Sequence, residues 1–197
     1  MINKEWSKEI LDRFFNTGYQ DALDILDDNT RTTEEKKEAQ NKKDYNRIEF
    51  PKEVFIALFI KEPIKDGTGW NEPVSPDYCR VSLRGKGPKG TQIMGYAKEE
   101  NPTEGTYQGK TVAVIENEDI IVFPETETDA YRDAEGNVAP VVAFGVFGES
   151  EKGKGTPILW GDLELIKDDE HPGGYHPTIE KGEIPVFRVG EFKFKLA

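Results

Sequence analysis

His171 and His176, the only histidines in this 197-residue chain, are the residues whose types come closest to a reactive or metal-binding centre. They flank Pro172-Gly173-Gly174-Tyr175 and follow Asp168-Asp169-Glu170. Imidazoles with carboxylates are a donor set for zinc and similar metals. The spacing fits no standard ligand pattern, and a Gly-Gly linker orients nothing, so the stretch reads as a surface loop. Carboxylates are abundant, among them Glu116, Glu118, Asp119, Glu125, Glu127 and Asp129. A glycosidase needs two of them facing each other across a cleft. With 38 acidic residues, suggestive pairs arise everywhere, and surface solubility accounts for them. The acid-rich loop 125–135 offers oxygen ligands for calcium but lacks EF-hand spacing. Two Gly/Lys stretches, 85–90 and 153–155, lack the preceding strand, the following helix and the Gly-Lys-Ser/Thr order of a phosphate-binding loop. They read as hairpin tips.

Cys79 is the only cysteine, so no internal disulfide forms and no oxidising compartment is required. It lies in Asp77-Tyr78-Cys79-Arg80-Val81-Ser82-Leu83, an alternating strand-like run, and reads as a small buried strand residue. No Ser-His-Asp arrangement emerges, nor a nucleotide, flavin or haem motif. The expectation is therefore no catalytic residue, no cofactor, no metal and no enzyme. A hydrolase using His171 and His176 stays open; replacing both with Ala would abolish its activity. Seven aromatics, Trp70, Tyr78, Tyr96, Tyr107, Tyr131, Trp160 and Tyr175, are candidates for a sugar platform. Trp70, in Gly67-Thr68-Gly69-Trp70, is the best of them, with packing or an interface contact the preferred role.

The elements that must position these residues follow from composition and pattern. Hydrophobic content is 36% and charged content 32%, enough for one core but not for two large ones. The formal net charge of -12 disfavours nucleic acid or an anionic membrane as the main partner, since both demand a positive surface. Arg84, Lys86 and Lys89 form a local basic group that reads as solvated. The first ten residues have no apolar stretch of the secretory kind, and no run approaches bilayer length. A protein folded in a cytoplasm is expected.

Residues 1–47 read as a helical arm. Trp6, Ile10, Phe14, Phe15, Tyr19, Leu23 and Leu26 recur at three-to-four-residue spacing, which predicts helices over 4–16 and 19–27 or one kinked helix. Thr32 and Glu35 stand at capping-box spacing ahead of a polar helix former with no apolar face, read as a solvated arm or linker. From Ile48 the pattern becomes β. Apolar runs at Val54–Ile60, Tyr78–Leu83, Thr111–Ile115, Glu118–Phe123 and Ile184–Leu196 read as strands, with a weaker stretch at Thr91–Tyr96. The clearest pair is Val141–Phe147 and Pro157–Leu165, joined by Gly148–Gly155 as a solvated hairpin tip. Phe144, Phe147, Leu159 and Trp160 read as its packing residues. Seven to nine short strands without intervening helices predict one antiparallel β-sandwich, jelly-roll-like, over 48–197.

Four segments in this order resemble a family of bacteriophage virion proteins of the tail-fibre-like or minor structural kind. They are Val54–Pro63; Gly67–Val81, with its Tyr78-Cys79-Arg80-Val81; Ile120-Ile121-Val122-Phe123-Pro124; and Phe144-Gly145-Val146-Phe147 with Ile158–Leu163. Pro185–Leu196 fits the family's closing segment. Insertions at 84–110 and 125–138, and prolines at 73 and 76, depart from it. The resemblance implies a structural role in a virion assembled in the host bacterial cytoplasm, in several copies, docked to other virion proteins at tail, neck or baseplate. It carries over no catalytic residue. Trp6, Ile10, Phe14, Phe15, Leu23 and Trp70 are the expected interface, and deleting 1–47 is expected to leave a folded domain that no longer joins particles. The alternatives are a carbohydrate-binding, receptor-recognising module and a capsid decoration protein.

Overall fold

The computed structural model describes Leu11, Ala22 and residues 25–45, 53–64, 68–105 and 107–196. It is mainly β, and the ladders of its two larger sheets are antiparallel. The longest helix among the described residues, α1 (Thr33–Tyr45), starts as its sequence dictates. Thr32 N donates to Glu35 Oε2 at 2.8 Å and Glu35 N donates to Thr32 Oγ1 at 3.2 Å, a reciprocal cap. Contrary to a fully solvated arm, Ala39 is buried. Trp6, Ile10, Phe14, Phe15 and Leu23 lie outside the described residues.

The chain divides into two compact units, each built from separated segments. Unit 1 comprises 1–52, 84–120 and 187–197; unit 2 comprises 53–83 and 121–186. The β region expected over 48–197 contributes segments to both units.

Unit 2 holds a four-stranded sheet in the order β2 (Val81–Ser82), β1 (Phe55–Phe59), β6 (Ala143–Phe147), β7 (Leu159–Asp162). The sequence FIALF is β-branched and aromatic, and all five residues of β1 are buried. β1 and β6 pair from Phe55↔Phe147 to Phe59↔Ala143. Gly145 of β6 is a glycine for a steric reason: a Cβ there would stand 2.2 Å from the Phe59 ring. Its absence lets Phe59 and Phe147 meet edge to face at 6.0 Å, with Trp70 stacked on Phe59 at 5.2 Å. Ile121–Val122 (β5) and Val186–Phe187 (β8) form a short ribbon.

Unit 1 holds β3 (Lys98–Glu100), β4 (Val112–Glu116) and β9 (Lys193–Leu196), with β4 central and its first four residues buried. Asn117, fully buried, extends this sheet with side-chain bonds. Its Nδ2 donates to the carbonyls of Asp119 and Arg188, both at 2.8 Å, and its Oδ1 accepts from Phe192 N at 2.9 Å.

Three expectations need correction. The predicted strand Tyr78–Leu83 shrinks to Val81–Ser82, and Cys79 is exposed rather than buried. Tyr78 and Arg80 are the buried members of that alternation, because a carboxylate inside the unit receives them both. Trp160 is 38% exposed and is not a packing residue, because β7 ends its sheet. A strand was not expected at Lys98–Glu100; it forms because its charged side chains find partners in the same sheet, Lys98 on Glu116 and Glu100 on Lys195.

Candidate functional site

The functional candidate that geometry singles out is the tip of the β6–β7 hairpin, residues 148–155, in unit 2. Eight residues rich in Gly, Lys and Glu have little reason to hold one shape in water. Here the shape is imposed from beneath by Glu72 and Arg80, which come from the loop between β1 and β2. The Arg80 side chain is 0% and that of Glu72 2% exposed. The two are paired in bidentate fashion: Arg80 Nε donates to Glu72 Oε1 and NH2 to Glu72 Oε2, each at 3.0 Å.

The rest of the guanidinium fork serves the tip. NH1 donates to the Glu149 carbonyl at 2.8 Å and NH2 to the Lys154 carbonyl at 2.9 Å. Gly153 N in turn donates to Glu72 Oε2 at 2.7 Å. The guanidinium carbon lies 3.6 Å from the Phe147 ring centroid and 5.9 Å from that of Trp70, so aromatic faces take the place of water around the charge. Tyr78 completes the cluster. Its hydroxyl donates to Glu72 Oε1 at 2.8 Å and accepts from Leu58 N in β1 at 3.0 Å. Burial, reinforced by the Glu72 carboxylate, pushes the Tyr78 phenol well above its ordinary range, so it stays protonated. From the tip, Lys152 Nζ reaches back to the carbonyls of Pro73 and Ser75, each at 3.2 Å. The expected solvated hairpin tip is thus solvated only on its outer side; its backbone is bolted to the body of the unit.

Unit 1 repeats the principle at the other Gly/Lys stretch. Asp119, fully buried, accepts from Lys89 N at 3.1 Å, Thr91 N at 3.2 Å, Thr91 Oγ1 at 2.9 Å and Ile120 N at 2.7 Å. Burial works to raise this carboxyl, and the bonds from Thr91, Ile120 and Lys89 outweigh it and hold the group below its usual range. Gly87 passes so close that a Cβ would stand 2.5 Å from the Asp119 carboxyl carbon. Each of the two Gly/Lys loops is therefore fixed by one buried carboxylate.

The other sequence candidates are placed as follows. Trp70 is half-buried in the Phe59–Phe147–Arg80 cluster rather than free on a loop. Tyr78 and Tyr131 are buried; Trp160 and Tyr175 are exposed on unit 2 and Tyr96 on unit 1. His171 Nδ1 lies 2.9 Å from Asp168 Oδ1 and its ring 4.7 Å from that of Tyr175, on an exposed loop. Among the described residues no three His, Cys, Asp or Glu side chains group as a metal site. Asp129 of the acidic loop is bound bidentately by Arg132 at 2.7 and 2.9 Å, and Asp133 caps the turn to Asn137. Both are engaged locally. No helix among the described residues is long and apolar enough to cross a membrane.

Sequence reasoning did not single out Glu72 or Arg80, and it read Asp119 as one surface carboxylate among many. The signal present was weak: an Arg between Cys79 and Val81 in an alternating run, and a Glu between Asn71 and Pro73 in a loop. Compared with models of known protein families and with curated protein sequences, the chain matches none.

Proposed function

We propose that this protein belongs to the class of non-enzymatic assembly components, whose work is to present fixed surfaces to other proteins. More particularly, the reading is a bacteriophage virion structural protein, present in several copies and docked to other tail, neck or baseplate proteins. The observation that carries the class is how the buried charged side chains are used. Glu72, Arg80 and Asp119 are all spent on holding surface loops in one conformation. Pre-forming a loop lowers the ordering cost of docking, which is the physical requirement of an assembly surface.

The virion placement rests on the resemblance of Val54–Pro63, Gly67–Val81, Ile120–Pro124, and Phe144–Phe147 with Ile158–Leu163, taken in that sequence order. Strand β1, buried along its length, and β4, buried over its first four residues, favour a two-layered, sandwich-like build within each unit. The N-terminal arm, with Trp6, Ile10, Phe14, Phe15 and Leu23, is read as the attachment or oligomerisation element. Mass spectrometry of purified virions from the phage encoding the chain tests the placement. The protein is expected at a fixed stoichiometry among the structural proteins, and its absence from the particle would refute the reading.

A further inference from the structure

The two units differ sharply in charge. Unit 2 contains 19 acidic and 8 basic residues, a formal charge of -11; unit 1 contains 19 acidic and 18 basic, a formal charge of -1. Each also ends a sheet with a strand that, among the described residues, has no neighbour on its outer side: β7 in unit 2 and β9 in unit 1. Such edges are commonly guarded by lysine or proline. β7 has neither. Its exposed face carries Trp160 and Asp162, preceded by Ile158 at 39% exposure and followed by the exposed Glu164. From Ile158 to Glu170 there are five acidic residues and one lysine. β9 has the opposite character. Lys193 and Lys195 occupy one face, opposite Glu116 and Val114 of β4, and Phe194 the other, opposite Ile115. The segment 187–197 has three basic residues and one acidic.

We propose that copies of this chain associate head to tail, β9 of one adding to the β7 edge of the next. Lys193 and Lys195 then lie on the face of Trp160 and Asp162, giving ion pairs and a cation over an indole. The lysines are not locked away. Their pairs with Glu116 and Glu100 are 35% and 31% exposed on the lysine side, the kind that holds little energy and can be shared. Symmetric β7-to-β7 pairing is disfavoured because it would bring two strongly acidic units together. A head-to-tail contact is heterologous, so it closes into a ring or extends as a row of copies. This deepens the multi-copy part of the proposed function, but it concerns the purified protein and not where in a particle it sits.

The test is sedimentation velocity on the full chain and two variants, at low and high salt. Wild type is expected to form oligomers that dissociate as salt rises. The β7 variant Trp160→Lys/Asp162→Lys and the β9 variant Lys193→Glu/Lys195→Glu are each expected to weaken self-association by about tenfold or more, through like-charge contacts. Each variant keeps one intact edge, and the two altered edges are opposite in charge, so an equimolar mixture is expected to regain oligomers in which the two variants alternate. Circular dichroism confirms that the variants fold; if the β9 variant does not, Lys193→Gln/Lys195→Gln replaces it. A monomeric wild type, oligomers indifferent to either variant, or a mixture that stays monomeric would each overturn the proposal. Finding the protein in virions while wild type is monomeric in solution would refute this inference and leave the virion reading intact.

Discussion

Removing the Arg80 charge should loosen the hairpin tip before anything else. In Arg80→Met the aliphatic stem still packs near Phe147, but the Glu72 carboxylate is left in a site where its side chain is 2% exposed. Stranding one partner of a buried, hydrogen-bonded pair costs about 3–5 kcal/mol. For a chain of this size that is a fall in thermal midpoint of roughly 6–20 °C. The tip loses two of its three backbone anchors, the bonds to the Glu149 and Lys154 carbonyls. The adjacent lysines, 152 and 154, make it a trypsin target once it opens. Limited trypsin digestion, followed by mass spectrometry, should show cleavage after Lys152 and Lys154 at temperatures where wild type is uncut. The double variant Glu72→Leu/Arg80→Met removes the stranded charge and should recover part of the stability. It cannot recover all, because Gly153 N and the Tyr78 hydroxyl lose their acceptor, at about 1–3 kcal/mol for each group that stays buried. Its tip should remain as cleavable as in the single variant. A loss of less than about 1 kcal/mol in Arg80→Met, the worth of an exposed pair, or an unchanged cleavage pattern, would refute the anchoring argument.

Asp119→Ala strips the acceptor from the Lys89 and Thr91 amides and should cost about 1–3 kcal/mol in urea unfolding, with faster amide exchange confined to residues 87–92. Gly145→Ala forces a methyl against Phe59 and should destabilise by about 1–3 kcal/mol; an unchanged midpoint would mean the β1–β6 packing is looser than described. Glu116 and Glu100 are held below the ordinary carboxylate range, chiefly by hydrogen bonds from Lys98 and from Lys195. The folded chain thus binds fewer protons than the unfolded one, so this stabilisation is complete above the unfolded value of about 4.3 and is lost as pH falls through the lower folded values. Thermal melts from pH 7 down to pH 3 should show a shallower acid slope for Glu116→Gln than for wild type, and equal slopes would count against it.

What the sequence made legible was governed by period and punctuation. Val54–Ile60 and Val141–Phe147 are long apolar runs, and both contain the strands they predicted. The same holds for the caps at Thr32 and Glu35, whose partners lie three residues apart. What stayed hidden depends on partners far along the chain. Arg80 reads as an outward residue until Glu72, eight positions away, and the Glu149 and Lys154 carbonyls arrive around it. Asp119 is one acid among 38 until the turn at 87–91 closes over it. The exposure of Trp160 follows from β7 being last in its sheet, which no local pattern encodes. The division into two units was equally invisible, since the segments of each are interleaved along the chain.

That interleaving sets an order in time. β4 gains its second neighbour only from β9, some eighty positions later, where Ile115 meets Phe194. Asn117 must likewise wait for Arg188 and Phe192 before its side chain is satisfied. A ribosome therefore has to make nearly all of residues 1–196 before unit 1 can close. In the interval Val112–Glu116, apolar and strand-forming, stands with one edge bare. Pairings so distant in sequence fold slowly, and a nascent chain with such a stretch open is a natural client for chaperones. Clipping the last ten residues should then do more harm than their modest burial implies, because it leaves β4 waiting for a strand that never arrives.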